Sequence, residues 1–243
     1  MQISAVIPAY NEAESIASVL KDIDRTLVKK IVVVDNGSTD STGETAVKNG
    51  ALVIQENRRG YGYACLAGIA SVPDADIYVF LDGDYSDYPD EIPKLIEPIQ
   101  NGESDLVIGS RVSGGAEKGS LSLPQRFGNA LAVFLLNLIF KTGYTDLGPF
   151  RAIRSSSLKQ LGMKDKKYGW TVEMQIKAAF FGLKISEVPV SYRKRLAGKS
   201  KVSGTVRGVF LAGMYILYYI CAAFFISLFY RLRKQKLSGS EAG

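Results

Sequence analysis

The chain has 243 residues, 47% hydrophobic and 22% charged, with 30 Lys and Arg against 24 Asp and Glu. That length holds one large domain, or one domain with an appendage, and the composition excludes disorder, collagen and disulfide miniproteins. There is no histidine, which removes Ser-His-Asp and Cys-His triads, zincin motifs and histidine general bases. Cys65 and Cys221 lie far apart among apolar residues, so they predict neither a disulfide framework nor a CxxC metal site, and they fit a reducing compartment.

Ile3–Ile7, Ile31–Val34, Ala51–Ile54, Ile77–Leu81 and Leu106–Ile108 are short, β-branched and bounded by turn residues, the pattern of buried strands. Helices are predicted between them, near 12–26, 41–49, 60–71 and 89–99. This alternation predicts an α/β fold, a mostly parallel sheet with helices on both faces. Beyond residue 110 the pattern changes. A Gly- and Ser-rich stretch, 112–124, predicts a mobile loop. An apolar helix follows over 125–142, opened by Arg126, then a helix over 171–182, a strand over 185–190 and a basic loop over 193–203.

Residues 1–192 hold 20 basic and 23 acidic side chains, whereas 193–243 hold 10 basic and 1 acidic. A basic tail suits nucleic acid or anionic lipid, and its neighbour decides. Val209–Tyr230 is 22 residues without a formal charge, about 33 Å as a helix against a hydrocarbon core of about 30 Å. A membrane partner is therefore expected, and no nucleic acid. Both flanks are basic, which disfavours exporting Arg231, Arg233, Lys234 and Lys236. An in-plane or half-inserted helix is expected, with a single span as the alternative. Phe134, Leu135, Leu138 and Ile139 could face the same membrane or pack in the core. No basic n-region precedes Ile3, so the folded part is expected in the cytoplasm. The chain divides into a main domain, 1–203, an apolar segment with basic flanks, 204–236, and a flexible tail, 237–243.

Ligands of parallel sheets bind beyond the carboxyl ends of the strands, where the polar motifs fall. Asp82-Gly83-Asp84 follows the fourth strand; two such carboxylates can share a hard cation that holds a diphosphate, or form a solvated turn. Asp35 follows the second strand and can accept from a ribose or a base, with Ser38 or Thr39 capping the next helix. Tyr10 can stack on a base and Glu12 can bond its edge, or Asn11 can cap a helix. Arg58-Arg59-Gly60 precedes a helix whose N-terminus favours phosphate. Arg111, Arg126 and Arg151 offer guanidinium forks for phosphate, whereas Arg154 reads as an exposed ion-pair partner. Glu173 can be a catalytic base, can orient the acceptor, or can equally be a first-turn acid favoured by the helix dipole. Arg193-Lys194-Arg195 and Lys199-Ser200-Lys201 clamp a diphosphate, a lipid phosphate or lipid headgroups.

The ordered set VIPAYNE, VVDNGSTD, FLDGDYSDYPDEI, GSR, TDLGPFRAI, GWTVEMQ and EVPVSYRKRLAGKSK resembles the family-2 inverting glycosyltransferases of the GT-A fold. Within them it resembles the dolichol- or polyprenyl-phosphate mannosyl- and glucosyltransferases, over roughly residues 3–215. The resemblance implies a nucleotide-sugar donor, a polyprenyl or dolichyl phosphate acceptor, a Mg or Mn ion, and a site on the cytoplasmic face of the membrane. It implies that Pro8, Tyr10, Glu12 and Asp35 hold base and ribose, and that Asp82 and Asp84 hold metal and diphosphate. By the same resemblance Arg111 and Arg126 receive the acceptor phosphate, while Arg193 and Lys199 lie near the donor diphosphate. The chain departs from the mannosyl-phosphate synthases at Ser86, where they often carry Gln, so a third metal ligand and the sugar's identity do not carry over.

Overall fold

The computed structural model describes residues 1–198, 213–215 and 218–221. Seven strands form one sheet in the order β3-β2-β1-β4-β6-β5-β7: β1 (Ile3–Ala9), β2 (Lys30–Asp35), β3 (Leu52–Gln55), β4 (Ile77–Phe80), β5 (Leu106–Ser110), β6 (Arg151–Arg154) and β7 (Ile185–Pro189). All pairings are parallel except those of β6, which runs antiparallel between β4 and β5.

The period of two along each strand sorts side chains into two cores. Ile3, Ala5 and Ile7 join Ile31, Val33, Ile77 and Val79 on one face. That core includes residues of α1 (Ile16–Asp22), α2 (Thr42–Lys48) and α4 (Ile92–Gln100). Val6, Val32, Val34, Tyr78 and Phe80 point the other way. They meet α3 (Tyr61–Ser71), α6 (Leu123–Phe140), α7 (Ser155–Leu161) and α8 (Trp170–Phe180). Such two-sided burial produces the continuous apolar runs of β1, β2, β4 and β5, whereas β3 at the sheet edge, expected to be buried, is only partly so and leaves Leu52 exposed.

Three expectations change. β6 and α7 were not anticipated, because Arg-Ala-Ile-Arg and a Ser triplet carry no apolar period long enough to read. The first helix starts at Ile16 rather than 12, and Asn11 is not its cap: Asn11 sits at φ 54, a left-handed turn that Asn tolerates. The stretch expected to be a mobile loop opens with a helical turn, α5 (Arg111–Gly114). It ends at a capping box in which Ser122 and Gln125 satisfy each other's backbone N–H groups. Most of Val209–Tyr230 lies outside the described residues. Within it Gly213–Tyr215 and Tyr218–Cys221 are helical, Ile220 is buried, and the Tyr219 hydroxyl donates to Asp165 Oδ2 at 3.0 Å.

α3 lies so close to the sheet that a Cβ on Gly68 would meet Val6 Cγ1 at 2.4 Å. Ala normally stabilises a helix interior by about 1 kcal/mol over Gly. Here Gly68→Ala is expected to destabilise the protein by about 1–3 kcal/mol, the usual cost of overpacking. Urea unfolding of Gly68→Ala, Val6→Ala and the double variant checks this: the pair should couple, whereas additive losses would mean that the two sites do not touch.

Candidate active site

β2, β1 and β4 are neighbours, and the chain leaves β1 toward β2 on one side while β4 lies on the other. This switch point opens a crevice at the carboxyl ends. The loops after β1 and β2 are stitched across it. Asn11 N–H donates to Ser38 Oγ at 3.0 Å, and Asn11 Oδ1 accepts from Thr39 N–H at 2.8 Å. Glu12 N–H donates to Thr42 Oγ1 at 2.8 Å. Asp35 is buried and accepts from Ser38 N–H at 2.8 Å and Gln55 Nε2 at 3.1 Å. Ser38 is therefore part of a turn closed by Asp35, and Ser41 stands at the N-cap of α2.

Asn36, which the sequence marks as a turn residue with Gly37, holds the next loop. Its Nδ2 donates to the carbonyls of Glu56 and Arg58 at 2.8 and 2.7 Å, and its Oδ1 accepts from Gly60 N–H at 2.9 Å. This places the Arg59 guanidinium 3.7 Å from the centroid of the Tyr10 ring. Arg58 forks onto Glu56 and holds that carboxyl down at about 2. An open cleft of about 560 Å³ between α2 and β3 has Asp35 and Gln55 on its wall but no residue of the Asp82–Asp87 turn.

That turn concentrates negative charge. Burial, then the charges of Asp84 and Asp87, push the Asp82 carboxyl well above the ordinary range. Burial, reinforced by Asp84, pushes Asp87 up to about 7 despite its hydrogen bond from Asp82 N–H. Asp87 Oδ1 is buried with no partner among the described residues. Asp84 Oδ1 accepts from Ser86 N–H at 2.9 Å. Tyr85 takes φ 64, a left-handed conformation costly for a bulky residue and characteristic of functional turns.

The cation that answers this charge is Arg195. Its Nη2 lies 2.5 Å from Asp84 Oδ2 and 3.5 Å from Glu12 Oε1. Arg195 belongs to the basic loop read from the sequence, yet only the fold brings it onto the turn, 111 residues from Asp84. Among the described residues no three acidic or cysteine side chains converge as a finished coordination shell. The donor set is nonetheless all oxygen, holds a buried unpaired carboxylate oxygen, and already attracts a cation. It fits a hard divalent ion that draws its remaining ligands from substrate and water.

The other predicted residues divide. Pro8 ends the buried run of β1 with its ring half-buried beside the crevice. Arg111 follows β5 and forks onto buried Asp146, with Nε–Oδ2 and Nη2–Oδ1 both at 2.7 Å. Burial opposes its charge, but Asp146 outweighs burial and raises its pKa. Arg126 is exposed on α6, one turn before Asn129, whose Oδ1 accepts from Leu147 N–H at 2.9 Å. The two arginines thus flank the Thr145–Leu147 loop. Arg193 lies against the acidic turn, its guanidinium 3.5 and 3.9 Å from the Tyr85 and Tyr88 ring centroids. Lys199 lies outside the described residues.

Two expectations are corrected. Arg151 is no surface phosphate fork: it is fully buried on β6 and donates to the carbonyls of Gly148, Leu147 and Thr171. The alternation of β6 turns it to the same face as Ile153, beneath α8. Glu173 is a buried first-turn acid rather than a base in the crevice. It accepts from the N–H groups of Lys164 and Asp165 at 3.0 and 2.7 Å and pairs with Lys177 at 2.7 Å. Arg154 pairs with Asp105 at 3.7 Å, as expected.

α6 carries an exposed apolar stripe, Leu123, Phe127, Leu131, Phe134 and Leu138, spaced to lie along one side of a helix. Leu135 and Ile139 pack partly against the core. The sequence grouping of these two with Phe134 and Leu138 therefore splits between outside and inside. Among the described residues α6 alone is long and apolar enough to cross a membrane, with mean hydropathy 1.3.

Comparison with known proteins agrees with this geometry. The sequence profile described as glycosyl transferase family 2 matches residues 4–162. An uncharacterized glycosyltransferase of Mycobacterium tuberculosis is 36% identical over 86% of this chain and 94% of its own. A dolichyl-phosphate hexose transferase of Haloferax volcanii is 37% identical over 82% of this chain and 86% of its own. Among solved structures, glucosyl-3-phosphoglycerate synthase from Mycobacterium tuberculosis, in complex with Mn2+, UDP-glucose and phosphoglyceric acid, superposes with a TM-score of 0.71 at 25% identity. It covers 90% of this chain and 79% of that one. The acidic turn at a GT-A switch point, the profile and these relatives together make this chain a glycosyltransferase that belongs to glycosyl transferase family 2.

Proposed function

We propose that this glycosyltransferase moves a hexose from a nucleotide-diphosphate sugar to a polyprenyl or dolichyl phosphate at the cytoplasmic face of the membrane, with inversion. The observation that carries this reading lies on α6. Arg126 stands on the helix that bears the exposed apolar stripe, and the same helix holds the loop supplying Asp146 to Arg111. A phosphate whose tail lies in lipid would meet the arginines and the apolar surface together. A relative named undecaprenyl-phosphate mannosyltransferase, from Micrococcus luteus, is 29% identical over 86% of this chain and supports the same acceptor class.

The chemistry asks little of the protein as a base. A phosphate monoester has a second pKa of about 6 and is largely dianionic at pH 7. Its oxygen attacks the anomeric carbon as the bond to the nucleoside diphosphate breaks, so no proton has to be removed. The chain's task is positioning and charge compensation. Arg111 and Arg126 aim the acceptor phosphate, Tyr10, Glu12 and Asp35 hold the nucleoside side, and Arg193 and Arg195 lie beside the diphosphate. Asp82 and Asp84 would hold a divalent Mg or Mn ion, which would supply charge neutralisation for the departing diphosphate.

One other acceptor has an observation in its favour. The similar synthase crystallised with phosphoglyceric acid, a small soluble phosphorylated acid. A screen of radiolabelled nucleotide sugars with polyprenyl phosphate or phosphoglyceric acid separates the two. Label in the organic phase, lost in Asp84→Ala and reduced about 10–100-fold in Arg126→Ala through the acceptor KM, is the expected result; label only in the aqueous product would overturn the lipid reading. Glu173→Gln should leave kcat per folded molecule near wild type and cost about 1–3 kcal/mol of stability as its buried partners lose an ionic acceptor.

The acidic turn also sets a pH dependence. Asp87 and Asp82 keep protons in the metal-free fold that the unfolded chain releases above its ordinary carboxylate range. Stability contributed by those protons therefore falls as pH rises, until Asp87 ionises near 7. Metal competes with the same protons. The rise in Tm on adding Mn2+ should be larger at pH 8 than at pH 6, and equal rises would place the ion elsewhere. For the membrane contact, replacing Phe127 and Phe134 together by Glu should lower co-sedimentation with anionic lipid vesicles at least several-fold; unchanged binding would exclude α6 as the contact.

A further inference from the structure

Arg195 occupies the place at Asp84 that a divalent ion needs. Asp84 Oδ1 accepts one hydrogen bond, from Ser86 N–H, and Oδ2 is the oxygen that faces Arg195. Arg195 holds that oxygen with Nη2 at 2.5 Å and Nε at 3.3 Å. A divalent ion ligated by Oδ2 would lie beside this guanidinium, and two cations so close on one carboxylate repel each other. The seat is also incomplete, since Arg195 Nη1 is buried and has no acceptor among the described residues.

The segment carrying Arg195 is strapped across the acidic turn. Arg193 N–H donates to the Ser86 carbonyl at 3.0 Å, and Leu196 N–H donates to the Asp84 carbonyl at 3.2 Å. Arg193 is wedged against Tyr85 and Tyr88 and donates to the Tyr85 carbonyl at 2.7 Å. Gly198, three residues after Arg195, takes φ 70, a conformation favoured by glycine. Arg193 is thus the firm end, while Arg195 and Leu196 rest on Asp84.

We propose that Arg195 is a built-in placeholder cation, which neutralises Asp84 and Glu12 in the metal-free enzyme and must leave Asp84 for a divalent ion to bind. Metal loading then frees the Arg195–Leu196 end of the strap while Arg193 stays anchored. The released guanidinium, with an unsatisfied donor already, is delivered beside the diphosphate. Ion binding and strap opening are therefore one event: the chain's own cation closes the site, and the divalent ion opens it. This inference rests on the assignment of Asp84 as a metal ligand.

The test is Mn2+ binding to the full chain in detergent at pH 8 without nucleotide, with free Mn2+ read by electron paramagnetic resonance. Arg195→Ala should bind Mn2+ about tenfold more tightly than wild type, and Arg195→Lys should fall between them. Equal or weaker binding by Arg195→Ala would overturn the placeholder while leaving the metal site standing. No binding by either protein at millimolar Mn2+ would overturn the metal assignment and the placeholder with it. A second measurement needs no variant: trypsin cleavage of wild type after Lys194 and Arg195, read by mass spectrometry, should accelerate on adding Mn2+ relative to cleavage after Arg25. Protection by Mn2+ would show that the ion clamps the strap, and would also overturn the proposal.

Discussion

Four carboxylates, those of Glu12, Asp82, Asp84 and Asp87, gather where β1 and β4 end; the Arg195 guanidinium pairs with Asp84 and Glu12, and the charge of Arg111 also reaches Asp82 and Asp87. In a part-buried crevice such charge is costly unless it is paired or protonated. The rest of the site is arranged around that constraint. Asp82 and Asp87 shift toward their neutral forms, Tyr85 holds a strained turn that aims the carboxylates, and the basic segment after β7 folds back 111 residues to cover them. A fold that gathers carboxylates at a switch point and balances them with its own cation is prepared for a metal ion and, through it, for a diphosphate.

The second half of the chain supplies positive charge and apolar surface on the other side of the crevice. Arg111 is fixed by a buried fork onto Asp146, so its position is set before any ligand arrives. Arg126 has no such partner among the described residues and stands on the exposed side of α6. The contrast separates a preorganised arginine from an adaptable one, a useful pairing where an acceptor arrives from a lipid surface. Tyr219, from the apolar C-terminal segment, is bonded to Asp165. Tyr219 and Ile220 therefore pack on the same face of the sheet as α8.

The central parallel strands were legible because two-sided burial writes itself as unbroken β-branched runs, and the acidic turn because it follows such a run. β6 was not legible: four residues that begin and end in arginine have no apolar signature, and their pairing is decided by β4 and β5, distant in sequence. The same omission misplaced Arg151, since a guanidinium can be buried when backbone carbonyls take its protons. Glu173 was open between two roles until Lys177 and the Lys164–Asp165 turn closed around it.

The sequence by itself determined the fold class, the order of the motifs along the strand ends and the family, because those follow from local periodicity and from residue types at fixed spacing. Tertiary structure alone decided which cation meets Asp84, which arginines face a crevice and which support the core, and which side of α6 is left bare. Those are contacts between residues separated by tens to more than a hundred positions, and Coulomb attraction and burial act through space with no trace in local pattern.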